Sequence, residues 1–587
     1  MNKRFFATVC GTICLAFVLV FGARVRTQEP SGQPPPPPNG GQQEGVEVQA
    51  RGPVHEAFAE PTVRGPRPTP VVPKKVPDPI EELPPDQKPE GNNVQWIPGY
   101  WAWDEDRNDF LWVSGIWRDI PPGQQWVPGH WEAVEDGSQW VAGYWTPLEE
   151  ARAEFLPQPP DPIQESEGVA PNANSVYVPG TWVWRDRYLW RPGFWMAFRP
   201  GWVWIPAHYI WTPAGYIFIN GYWDYPFANR GLLFAPVVIT SGYWNRPGWF
   251  FRPFFAVSDT FLLGALFVRP FYASYYFGDY FDPRYSRLGF SSWVDFRIGN
   301  RYYDPNLSYY SWQHRNNPSW VRDLRQVYIA RQNGDLPRPP RTLVQQNTFV
   351  QNNRNITINN FRNTNITNVR NLANVTALAS LPQVKQQGVV LQRLTADQVT
   401  RERKDAQRFH GLREDRVKLE ARVRSQGSPL SRGNEAKGPV HVDFPALKAT
   451  TKPSAAVKGA PPLPNIPNPR PHNAAAERAR RPTDTINPRG NQTDRARTGA
   501  GEERRNVPGK DAGRPTPEPR REREINKPRD EGKPKPPSQE HRSGSPPSHA
   551  PEAKKAPPPE PKKPPPSDGK KPPPPEHKPS KEKPPDR

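Results

Sequence analysis

Trp96-Ile-Pro-Gly-Tyr-Trp101 sets a six-residue pattern, Trp-x-x-Gly-x-aromatic, that recurs at 112–117, 126–131 and 140–145. It resumes at 177–182, 190–195, 204–209 and 218–223, and a looser copy ends in Gly242-Tyr-Trp244. The starts at 112, 126 and 140 are 14 residues apart, as are those at 190, 204 and 218. A fixed interval marks a structural unit and not a compositional bias. The most constant member is the fourth-place glycine: Gly99, Gly115, Gly129, Gly143, Gly180, Gly193 and Gly221. Proline precedes it at Pro98, Pro128, Pro179 and Pro192, and asparagine at Asn220. Proline presets φ for the first central turn position, and glycine accepts a positive φ at the second. The pattern therefore predicts a tight hairpin turn at each Pro-Gly, with Ile97 opposite Tyr100 and Trp96 opposite Trp101.

The links between copies also read as hairpins. Trp101 and Trp103 face Trp112 and Phe110 across the polar loop Asp104 to Asp109, Trp117 faces Trp126, and Trp131 faces Trp140 across Asp136-Gly137. The expected fold class is mainly β: a meander of short antiparallel hairpins with long disordered Pro-rich flanks and one helix. One continuous aromatic row is expected along it: Trp96, Trp101, Trp112, Trp117, Trp126, Trp131, Trp140 and Trp145. A second block carries Trp182, Trp190, Trp195, Trp204 and Trp223, with Trp182/Trp190 and Trp195/Trp204 as pairs. Two features run against the turn. Pro-Gly favours a type II turn, whose twist opposes that of a hairpin, and Ala207 stands where glycine is expected.

Over residues 95 to 245, about a quarter of the chain, these copies resemble the bacterial WxxGxW (YxWGxW) repeat proteins. That resemblance implies an exported protein of unassigned biochemical role, with no catalytic residues to carry over.

The rest of the chain is partitioned sharply. Of 587 residues, 35% are hydrophobic and 81 are proline, which excludes one fold spanning the whole chain. All 22 tryptophans lie between Trp96 and Trp320. Residues 401–587 carry 43 Lys and Arg against 25 Asp and Glu, nearly all of the net charge of +20. The only cysteines are Cys10 and Cys14, so no disulfide framework is built. Residues 1–23 read as a signal peptide, with Lys3 and Arg4 before an apolar run and Gly22-Ala23 at its end; an uncleaved inner-membrane anchor is the alternative. Residues 24–92 read as a disordered Pro-rich linker and 93–245 as the repeat region. An aromatic-rich region packed with the repeats fills 246–340, and an Asn/Thr-rich segment fills 341–390. Residues 391–425 predict a charged helix, opened by a capping box of Thr395 and Gln398. Residues 426–587 read as a disordered basic tail.

The aromatic row has two readings: a packed core, since each Trp buries about 150–250 Å², or a face that stacks on cell-wall or surface glycan. The tail suits an anionic polymer by charge. Asp104, Asp106 and Asn108 begin like a calcium loop, but Asp109 and Gly115 stand where its turn glycine and bidentate Glu belong. No catalytic residue, cofactor site, metal site or small-molecule substrate is assigned. The expectation is an exported, non-enzymatic envelope protein in the periplasm or at the cell surface. It is structural or glycan-binding, with polyanion binding through the tail as the alternative.

Overall fold

A computed structural model describes residues 43–298, 302–352, 375–430, 438–448 and 459–472. The expected signal peptide, and most of the expected tail, lie outside the described residues. No described helix is long and apolar enough to cross a membrane.

The chain is strand-rich, built of many short antiparallel ladders. Its repeat unit is a long hairpin, bent once across both arms. In the first, Val94–Ile97 continues into Tyr100–Asp104, and Asp109–Val113 returns into Ile116–Asp119. Trp96 lies opposite Trp117 and Ile97 opposite Ile116; beyond the bend Tyr100 lies opposite Val113 and Trp101 opposite Trp112. Register is therefore kept across the bend, although the ladder opens for two residues on each arm. The second hairpin pairs Trp126 with Trp145 and Trp131 with Trp140. The third pairs Tyr177 with Trp195 and Trp182 with Trp190, and the fourth pairs Trp204 with Trp223 and Tyr209 with Phe218.

Each hairpin thus holds two motif copies running antiparallel, the first position of one facing the sixth of the other. This corrects the expected topology. Pro-Gly is the bend within an arm, and Trp96/Trp101, Trp117/Trp126 and Trp195/Trp204 are not pairs. The reversals occur at the polar loops: Asp104 pairs with Asp109, Val134 with Gly137 and Thr212 with Gly215. Loop residues there accept left-handed backbone, as at Asn108 with φ 49°.

Residues 43–92 are not the expected disordered linker. Val46–Val48 pairs with Val237–Ile239, Val71–Val72 with the second hairpin, and Gln87–Pro89 with Leu391–Arg393. Val54, Phe58, Ile80 and Leu83 are buried. An extended Pro-rich strand suits a covering role, because proline brings no N–H to leave unpaired. The basic tail departs similarly at two places. Val440–Asp443 pairs with Arg152–Phe155, and Arg470 bridges to Trp190.

The region after the repeats folds around Ser274–Phe277 and Leu266–Arg269, with helices Pro305–Gln313 and Trp320–Asn333. Asp304 caps the first of these, accepting from the amides of Asn306 and Leu307. The charged helix runs Ala396–Gly427 from a capping box of Thr395 and Gln398.

A buried ion triad ties these parts together. Arg118 Nη2 donates to Asp224 Oδ1 at 2.6 Å, and Arg230 Nε lies 3.1 Å from Asp224 Oδ2. The two guanidiniums also donate to the carbonyls of Ala57 and Phe58, and Arg230 reaches Asn306 Oδ1. Asp224→Ala leaves two buried cations without their carboxylate. It is expected to cost about 3–5 kcal/mol, read as a lower urea midpoint.

Candidate functional site

The bends are where the repeat concentrates its chemistry. None of the seven motif glycines has a positive φ, so the conformational role expected for them is not the one they play. They serve close approach. A Cβ built on Gly115 would lie 2.4 Å from Cζ2 of Trp96, and one on Gly143 would lie 2.3 Å from Cζ2 of Trp126. Gly129 meets Trp140, Gly180 meets Trp190, and Gly221 meets Trp204 in the same way. The first-position ring of each copy therefore lies on the fourth-position glycine of its partner. Ala207 is accommodated because its facing first position is Phe218, which lacks the indole edge that reaches glycine elsewhere.

Opening the ladder frees glycine amides, and in the first three hairpins a carboxylate from outside the hairpin takes at least one of them. Glu82 accepts from the amides of Gly99 at 2.7 Å and Gly115 at 2.8 Å, and from the Trp112 indole at 3.2 Å. Glu165 accepts from Gly193 at 2.7 Å and from the Trp190 indole at 2.6 Å. Glu56 accepts from Gly143 at 2.6 Å, and the nearby Trp140 indole helps to hold its carboxyl down. In the fourth hairpin the corresponding ring is Phe218, which has no N–H to donate.

Bend carbonyls meet cations. Arg416 Nη1 donates to the carbonyls of Pro128 and Ala142, both at 2.9 Å, and Arg413 donates to Gly129. His55 Nε2 lies 3.2 Å from the Pro98 carbonyl. Burial pushes the carboxyls of Glu82 and Glu56 up to about 7, against the N–H groups that hold them down. Glu60 is driven above the carboxylate range by burial and by the Glu56 charge. Burial pushes His55 down to about 3.

Sequence reasoning missed these acids, though a signal was present. Asp78-Pro-Ile-Glu-Glu82 and Asp161-Pro-Ile-Gln-Glu165 are copies of one pattern, Asp-Pro-Ile-x-Glu. In both, the Asp carbonyl accepts a sixth-position indole N–H at 3.0 Å, from Trp101 and Trp182 respectively. The glutamate then reaches the bend. Glu56 carries no such signature.

The aromatic row is a set of pairs with ring centroids 5.1–5.4 Å apart, most of them edge-on. It is not a row on one side. First and sixth positions are five residues apart, an odd number, so an alternating strand sends them to opposite faces. Trp101 and Trp112 accordingly join the largest core cluster, whereas Trp96 and Trp117 join another with Leu381 and Leu394. Trp96, Trp101, Trp112, Trp117, Trp126, Trp140, Trp145, Trp190, Trp204 and Trp223 are buried; Trp131, Trp182 and Trp195 are half-buried.

The match to known families coincides with this geometry. A family model described as WXXGXW repeat (2 copies) matches residues 95–118, 122–146, 199–223 and 214–226. The chain contains WXXGXW repeats. The first two matches cover the first and second bent hairpins, so two copies of the WXXGXW motif make one structural unit. The third hairpin lies outside the matches yet keeps the same register. No curated protein and no solved structure matches the chain.

Among the described residues no group of three or more His, Cys, Asp and Glu side chains is placed to hold a metal ion. The bend acids are engaged by main-chain and indole donors, and what they do is hold the bend. Gly115→Ala sets a methyl against both an indole and the Ile97 carbonyl. It is expected to cost at least about 1–3 kcal/mol, measured by chemical denaturation. Glu82 makes a pH prediction. Its folded pKa lies above the usual 4.5, so its contribution is complete below about 4.5 and is lost as pH rises through about 7. Glu82→Gln is expected to lower stability and to flatten the fall between those two values, seen in urea midpoints measured against pH.

Proposed function

We propose that this WXXGXW repeat protein is an exported, non-enzymatic structural component of the bacterial cell envelope. In this role the bent hairpins form a rigid aromatic scaffold. One observation carries the reading. The motif tryptophans are packed against each other and against glycine, and the acids beneath them are bound by the chain's own amides. Such a unit supplies stiffness without disulfides, and an exported chain whose only thiols lie in its signal segment has no other covalent staple. The basic N-terminus and the apolar run to Phe21 support export. Glycan stacking, the adhesive version, falls to half-buried Trp131, Trp182 and Trp195 and not to a continuous row.

Cell fractionation with N-terminal sequencing tests the proposal. A mature chain starting at residue 23 or 24, found outside the cytoplasm, is expected. A cytoplasmic chain retaining Met1 would overturn it. Retention on purified peptidoglycan that Trp182→Ala abolishes would replace the structural role with the adhesive one.

A further inference from the structure

Residues 461–471 read Pro-Pro-Leu-Pro-Asn-Ile-Pro-Asn-Pro-Arg-Pro, six prolines in eleven residues. Composition alone places such a stretch in solvent, yet it lies extended along the third and fourth hairpins. It is anchored there at four points of different chemistry. The Trp223 indole N–H donates to the Pro462 carbonyl at 3.2 Å. Ile466 packs on the cluster of Val178, Met196, Trp204 and Trp223. Arg470 exchanges both backbone hydrogen bonds with Trp190, each 2.9 Å. The His472 ring meets the Trp182 ring edge-on at 6.2 Å.

This chemistry matches what a proline-rich strand offers. Extended proline segments have preset dihedral angles and unpaired carbonyls, so they dock on aromatic surfaces that donate indole hydrogen bonds. Proline removes the N–H from most positions, and the only N–H groups between Ile466 and His472 belong to Asn468 and Arg470. The one at Arg470 is the one used. Leu463, between two anchors, points away and is 68% exposed, as expected where recognition falls on spaced residues. The surface is continuous with a cleft of about 480 Å³ that Met196, Trp204 and Trp223 also line.

We propose that the third and fourth hairpins form a recognition groove for extended proline-rich peptide, and that residues 461–471 are its in-chain ligand. The ligand class is a proline-rich strand with an apolar residue four places before a residue whose N–H is free. A groove already filled by its own chain excludes an outside peptide of the same class. Its occupancy therefore sets whether the repeat protein can engage a proline-rich partner. This holds independently of the envelope assignment.

The test uses the full chain and a fluorescein-labelled synthetic peptide of residues 459–472, followed by fluorescence anisotropy. A full-length variant carrying Ile466→Asp and Arg470→Pro removes two of its own anchors. It is expected to bind the labelled peptide at least about ten-fold more tightly than the wild type does. Adding Trp223→Phe to that variant keeps a ring but removes the indole donor, and is expected to weaken binding several-fold. A labelled peptide with the same Asp and Pro changes is expected to bind neither protein. A cooperative urea unfolding transition retained in each variant establishes that it is folded. Equal binding to wild type and released variant, no binding to a folded released variant, or binding of the altered peptide overturns the proposal.

Discussion

An indole whose edge meets a facing strand leaves no room for a side chain at that point. That contact is made twice in each of the first three bent hairpins, where a first-position Trp or Tyr rests on the glycine of the opposite copy, and once in the fourth, where Trp204 rests on Gly221. Accommodating the ring opens the ladder for two residues on each arm. The amides freed there are buried, and an unpaired buried N–H costs about 1–3 kcal/mol. The bend is consequently stable only with an acceptor brought from elsewhere. Glu82, Glu56 and Glu165 are those acceptors, and they arrive on Pro-rich segments outside the hairpins. Tryptophan packing, glycine spacing and the course of the proline-rich chain are therefore one constraint.

The four hairpins show how far that constraint reaches. In the first three, the first position of the second copy is Trp112, Trp140 or Trp190, and the Trp112 and Trp190 indoles donate to the carboxylate at their own bend. The fourth has Phe218 there. The smaller ring permits Ala207 opposite and brings no indole N–H to that corner. The third hairpin begins with Tyr177, whose hydroxyl both reaches Gly193 and donates to Glu165 at 3.4 Å. Aromatic identity and fourth-position residue thus vary together because they share one small volume.

For function, the consequence is that the most conspicuous residues are interior. Ten of the thirteen row tryptophans are buried, as the proposed structural role requires of the aromatic repeat. Recognition is left to what the hairpins present at their edges. There the third and fourth hairpins hold a proline-rich strand of their own chain, and the long helix Ala396–Gly427 lays Arg416 and Arg413 over the second bend. The repeat and its covering segments act as one body, with chemistry at its seams.

By itself the sequence determined the mainly β class, the hairpin reversals at polar loops, and four cross-strand pairs: Trp101/Trp112, Trp103/Phe110, Trp131/Trp140 and Trp182/Trp190. These follow from local alternation and turn residues, as does the helix cap at Thr395. It did not determine what Pro-Gly does. A turn and a bend share the same two residues, and only the partner strand distinguishes them. Nor did local pattern place Trp96 against Trp117, because that pairing becomes visible only when two copies are aligned antiparallel. Tertiary structure alone decided that Glu56 enters the core, that Glu82 reaches the first bend, and that Pro-rich segments cover the hairpins. A buried acid or an extended proline strand is unfavourable on its own terms and becomes stable only when a distant part of the chain supplies its donors.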